Sequence, residues 1–189
     1  MKISPLICLF FAICSPILLS AQQTIKIGEN RTAENTFIVN KVQTQANTSS
    51  KNMLINDKKM TKTIEDYRSE AKRMQEPQGL RYSKRGSLHL VFIKVLGEEK
   101  IKKLSPERLL VTMIYNSNGK VTAVLFTIKE DTKLSLEEIE RLSFAIEENI
   151  TFSFSSVNFD KNKKLVPYNH SIHLNKILHQ MSAINQSKL

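Results

Sequence analysis

Two β-rich runs that meet at a tight reversal constrain this chain more than any other feature. Leu109 to Tyr115 and Val121 to Ile128 flank Asn116-Ser117-Asn118-Gly119-Lys120. Asn and Gly tolerate the positive φ values that a short hairpin connection needs. A hairpin alone leaves an apolar face uncovered, so something must pack on it. The cover follows directly in sequence. Ser135 and Glu138 have capping-box spacing, and Leu136, Ile139, Leu142, Ala145, Ile146 and Ile150 recur at helical intervals. This pattern predicts a helix from Leu136 to Asn149 docked on the hairpin. Glu137, Glu138, Glu140, Glu147 and Glu148 then read as its solvated face.

The remaining pattern is weaker. Ile64, Tyr67, Ala71 and Met74 have helical spacing between Thr63 and Gln75, and Pro77 with Gly79 stops them. From Ser87 to Leu96, Leu88, Val91, Phe92, Val95 and Leu96 fit a helical face, although the β-branched content also suits a strand. The helix is preferred. Gly97 then ends it as a left-handed cap, and Ile101 and Leu104 point inward from a second short turn. Thr151-Phe152-Ser153-Phe154 has alternating Phe residues, Tyr168 to Leu174 suits a returning strand, and the tail after Lys176 reads as a frayed helix. The expected fold class is α+β, a small antiparallel sheet of hairpin plus returning strand with helices packed on one face.

Composition sets the compartment. Lys2 precedes an almost wholly apolar run from Pro5 to Leu19, and Ser20-Ala21 supplies a small-residue exit, which is the layout of a cleavable secretory signal over residues 1–21. The run is too short, and too broken by Pro16, for a membrane span of roughly 20 residues. Both cysteines, Cys8 and Cys14, lie within it. The mature chain therefore has no thiol nucleophile, thiolate ligand or disulfide. A cysteine-free exported domain points to a bacterial envelope rather than to a disulfide-stapled secreted domain. Asn-x-Ser/Thr triplets begin at Asn30, Asn47, Asn149, Asn169 and Asn185, but no disulfide framework accompanies them, so chance occurrence is the preferred explanation.

About 168 residues then remain, enough for one domain with an appendage. The net charge of +10 is uneven: residues 22–86 carry 13 Lys/Arg against 7 Asp/Glu, and residues 87–189 carry 14 against 11. Residues 22–60, rich in polar side chains with apolar islands at Ile25-Lys26-Ile27 and Phe37-Ile38-Val39, read as a basic linker or loosely packed arm. One edge strand through Phe37 to Val42 is allowed for. Residues 61–189 read as a single α+β domain with its best-defined core over 87–178.

The residues offer no catalytic, cofactor-binding or metal-binding set. His170 and His173, with His179 nearby, are spaced to face opposite ways on a strand, and no convergent acid accompanies them. No serine has the Gly-x-Ser-x-Gly context of a nucleophile elbow, and the five glycines make no phosphate loop. Arg81-Tyr82-Ser83-Lys84-Arg85 is too short for a nucleic-acid signature. The chain reads as a non-enzyme with no cofactor.

From Leu109 to Leu174 the order of elements resembles the C-terminal domain of TonB-like proteins. The first strand to Tyr115, the Asn116-to-Lys120 turn, the strand to Ile128, the helix opening at Ser135, Phe152-Ser153-Phe154 and Ser171-Ile172-His173-Leu174 carry the likeness. The stretch from Ser87 also resembles small exported Gram-negative domains of unknown function. No Tyr-Pro precedes the first strand, no proline follows Phe154, and no long proline-rich spacer is present. The resemblance implies a binding module rather than energy coupling. The expected partner is another envelope protein or peptide, with no nucleic acid. The alternative is a surface-associated protein whose basic front segment adheres to anionic lipid or glycan. A hydrolase ranks third, and the oligomeric state is left open.

Overall fold

The computed structural model describes residues 25–42, 52–71, 82–105, 107–154 and 165–179. The expected signal over 1–21 lies outside them. In chain order the elements are β1 (Gly28–Arg31), β2 (Thr36–Lys41), β3 (Asn52–Asp57), a 3-10 turn (Lys58–Met60), α1 (Thr61–Ala71), β4 (Tyr82–Arg85), α2 (Leu88–Leu104), β5 (Arg108–Asn116), β6 (Val121–Lys129), α3 (Leu136–Asn149), β7 (Thr151–Phe154) and β8 (Leu165–His173). Six strands form one sheet in the order β1-β2-β3-β6-β5-β8, every neighbouring pair antiparallel. β4 and β7 form a separate two-stranded sheet. The α+β class expected from the sequence is the fold observed.

The β5–β6 hairpin is as its sequence requires. Gly119 takes φ 78°, and its N–H donates to the Asn116 carbonyl at 2.9 Å. The Asn116 side-chain oxygen accepts from the amides of Asn118 and Lys120 at 3.0 and 3.1 Å. A register shift between Ile114 and Tyr115 pairs Tyr115 with Val121 and leaves Thr122 as an extra residue. The Thr122 hydroxyl donates to the Ile114 carbonyl at 3.1 Å. Such a bulge bends the strand and keeps Tyr115 and Val121 facing the core.

Alternation divides the sheet faces. Val111, Met113, Tyr115, Val124 and Phe126 pack with Phe92, Ile101, Leu104, Ile139, Leu142 and Ile146 of α2 and α3. Ile114, Ala123 and Leu125, which alternate with them, pack instead with Ile64. So α2 and α3 cover one face, and α1 covers part of the other. Ser87 caps α2. Gly97, at φ 74°, interrupts α2, so that Ile101 and Leu104 are fully buried from its second half. Ser135 and Glu138 complete the capping box of α3 at 3.2 and 2.8 Å. Glu138 also holds Lys100 of α2 at 2.9 Å.

The linker or loose arm expected over 22–60 is corrected for residues 28–41 and 52–60. Three strands there extend the sheet, and Phe37, Val39, Met53 and Ile55 are at most 2% exposed. Each island is too short to bury a core alone. Paired side by side, with β3 laid against β6, they do so together. The edge strand expected through Phe37 to Val42 is β2, and it lies between β1 and β3 rather than at an edge. Tyr82–Arg85, read only as a basic-aromatic patch, is a strand paired with β7.

Candidate functional site

Two features hold chemistry that the core does not consume. The first is the long edge of the main sheet. β8 pairs residue for residue with β5 from Arg108↔His173 to Asn116↔Leu165, and among the described residues no strand pairs with its other side. β1, four residues long, forms the opposite edge. An edge of this length presents main-chain donors and acceptors to any incoming extended chain. Pro167 lies within β8, a position that an edge strand tolerates because one side of its backbone needs no ladder.

The side chains of β8 follow the pleat. Val111 belongs to the helix-covered core and pairs with His170, whose ring lies 6.2 Å from that of His89 on α2. On the opposite face Thr112 donates to Asn169 at 2.7 Å and the Arg108 Nε donates to Ser171 at 2.7 Å. Ser171 Oγ lies 3.4 Å from His173 Nε2. His170 and His173 thus point to opposite faces of the strand, as their spacing requires. Partial burial lowers the His173 pKa, and the cations Arg108 and Lys176 add to this. His179 is exposed beyond the strand. Among the described residues no group of three His, Cys, Asp or Glu side chains is placed to hold a metal.

The second feature corrects the solvated face assigned to α3. Glu140 and Ser143 are buried, and Glu147 is partly so. They stand three and four residues apart, so they form one polar stripe. Glu140 accepts from the Thr32 hydroxyl at 3.0 Å and from the Asn35 side-chain amide, both in the β1–β2 turn. Lys59 Nζ donates to the Asn35 side-chain oxygen at 2.5 Å. Asp57, 6% exposed, ends β3 and accepts from the Lys59 amide at 2.8 Å. Burial, reinforced by the charge of Asp57, pushes the Glu147 pKa up to about 7. Its Oε1 is buried and, among the described residues, has no hydrogen-bond partner.

Sequence reasoning grouped these acids by charge and missed the stripe. The signal was positional: Glu140, Ser143 and Glu147 follow Leu136 at intervals of four, three and four residues, and Leu136 is buried. Chemically, the stripe joins α3 to the front strands, whereas β8 is an edge strand among the described residues.

No protein-family model matches the chain, and no curated protein sequence matches it either. Among solved structures, that of a DUF5043 family protein from Bacteroides uniformis ATCC 8492 is similar, with a TM-score of 0.59 and 16% identity over 78% of this chain and 85% of that one. At that identity the likeness shows the α+β fold and nothing of its use.

Proposed function

We propose that the chain is a non-catalytic periplasmic or secreted domain of a Gram-negative envelope, which binds another envelope protein or peptide by strand addition at β8. The observation that carries this reading is the nine-residue edge strand, paired on one side with β5. Main-chain hydrogen bonds give such a mode its affinity, and alternate side chains give it selectivity. The apolar leader, the cysteine-free remainder and the resemblance of 109–174 to the TonB C-terminal domain support export and binding.

Retention of the exported protein by solubilised envelope proteins is the test, run at low and high salt. Strand addition rests on short-range hydrogen bonds and apolar contacts, so retention should persist at high salt. Adhesion through the basic front segment would instead disappear as salt rises, and anionic vesicles would capture the protein equally well.

A further inference from the structure

We propose that Glu147 is a proton switch at the junction of α3 with both sheets, facing Asp57 when protonated and turning to Lys120 when ionised. The inference is independent of the β8 edge. It starts from a carboxylate oxygen that is buried and, among the described residues, has no donor. An ionised carboxylate tolerates such a position poorly, whereas the neutral acid carries its own donor and can offer it to an acceptor. The charged groups around it define the two arrangements. Asp57 at the end of β3 and Glu148 on the same helix disfavour the anion, and Lys120 in the β5–β6 turn favours it. The two lysines that follow Asp57 are engaged elsewhere: Lys58 pairs with Glu29 at 2.6 Å, and Lys59 holds Asn35 at 2.5 Å. Glu140, two turns earlier on the stripe, is satisfied by Thr32 and Asn35.

The position gives the proton something to move. Asn149 follows two residues later, and its carbonyl lies so close to Gly86 that a Cβ there would sit 2.2 Å away. Lys120 bridges to Thr151, and the Phe152 N–H donates to the Gly119 carbonyl at 2.8 Å. The last turn of α3 is therefore where the β4–β7 sheet meets the end of the main sheet. Acidification places a neutral Glu147 against Asp57 and closes this junction. Above the switching pH the proton goes to solvent, the two carboxylates repel, and the anion is drawn to Lys120, which loosens it.

The experiment is a pH titration of the full exported protein by carboxyl-carbon NMR, with hydrogen exchange of the Ile150 and Phe152 amides corrected for intrinsic rate. Glu147 should titrate near 7, Asp57→Asn should lower that midpoint, and Lys120→Met should raise it. Protection at the two amides should fall with rising pH by up to about tenfold per unit until Glu147 is ionised. Glu147→Gln should make it flat. Titration of Glu147 in the ordinary glutamate range would overturn the proposal on wild-type protein alone, and so would a pH response that survives in Glu147→Gln.

Discussion

Tyr115 stacks on Phe152 with ring centroids 4.3 Å apart and planes 16° from parallel. Tyr115 belongs to β5, the central strand of the hairpin half, and Phe152 to the small sheet, so this stack joins the two sheets. Phe152→Ala should cost about 3 to 5 kcal/mol through lost transfer energy and the cavity left behind. Urea denaturation checks this. An unchanged midpoint would mean that the small sheet is not docked.

The same junction makes a prediction for glycine. Gly119 and Gly28 both have positive φ, and a Cβ at Gly119 would stand 1.8 Å from the Phe152 carbonyl oxygen, whereas one at Gly28 would meet nothing within 4 Å. Alanine at either position should lose more than about 1 kcal/mol to backbone strain. Gly119→Ala should lose distinctly more. Equal denaturation midpoints for the two variants would contradict the close approach of β7 to the hairpin turn.

Three neighbouring residues of α3 test its orientation. Leu142→Ala should cost about 2 to 5 kcal/mol. Glu140→Ala should cost about 1 to 3 kcal/mol, because it leaves the Asn35 side-chain amide without its acceptor. Arg141→Ala, on the exposed side, should stay within about 0.5 kcal/mol. Chemical denaturation would show whether Glu140 groups with Leu142, as the structure requires, or with Arg141, as the sequence pattern suggested.

Glu147 also gives the whole domain a pH dependence of definite sign. Its pKa is 4.5 when free and about 7 when folded, so between these values the folded state binds more protons than the unfolded one. Stability contributed by this group is therefore full below about pH 4.5 and declines as pH rises towards 7. Calorimetry of the wild type against Glu147→Gln isolates it: the difference between their melting temperatures should grow across that window, and a constant difference would refute the assignment.

Processing is tested by intact mass. The leader pattern predicts a mature chain beginning at Gln22, so exported protein should lack Met1 to Ala21. Retention of those residues would remove the argument for cleavage.

The hairpin, the capping box and α3 were legible because their signals are local: a turn, a cap and a period lie within a few residues of one another. The front strands were not. β3 gains its burial by pairing with β6, roughly seventy residues further along, and β2 gains its own by pairing with β3, while the polar composition of both matches that of a linker. The acids of α3 failed for a related reason. Glu140 is buried by Asn35, which is 105 residues away, and no window on the helix itself shows that neighbour. The edge character of β8 is likewise a property of strand order, which periodicity does not encode.

The central claim is that β8 receives an added strand, and hydrogen exchange across the whole chain tests it most directly. With solubilised envelope proteins present at high salt, amides within Leu165–His173 should gain protection while those of β1, the opposite edge, stay unchanged. Protection confined to the basic front segment, or none along β8 while the protein is demonstrably bound, would contradict it.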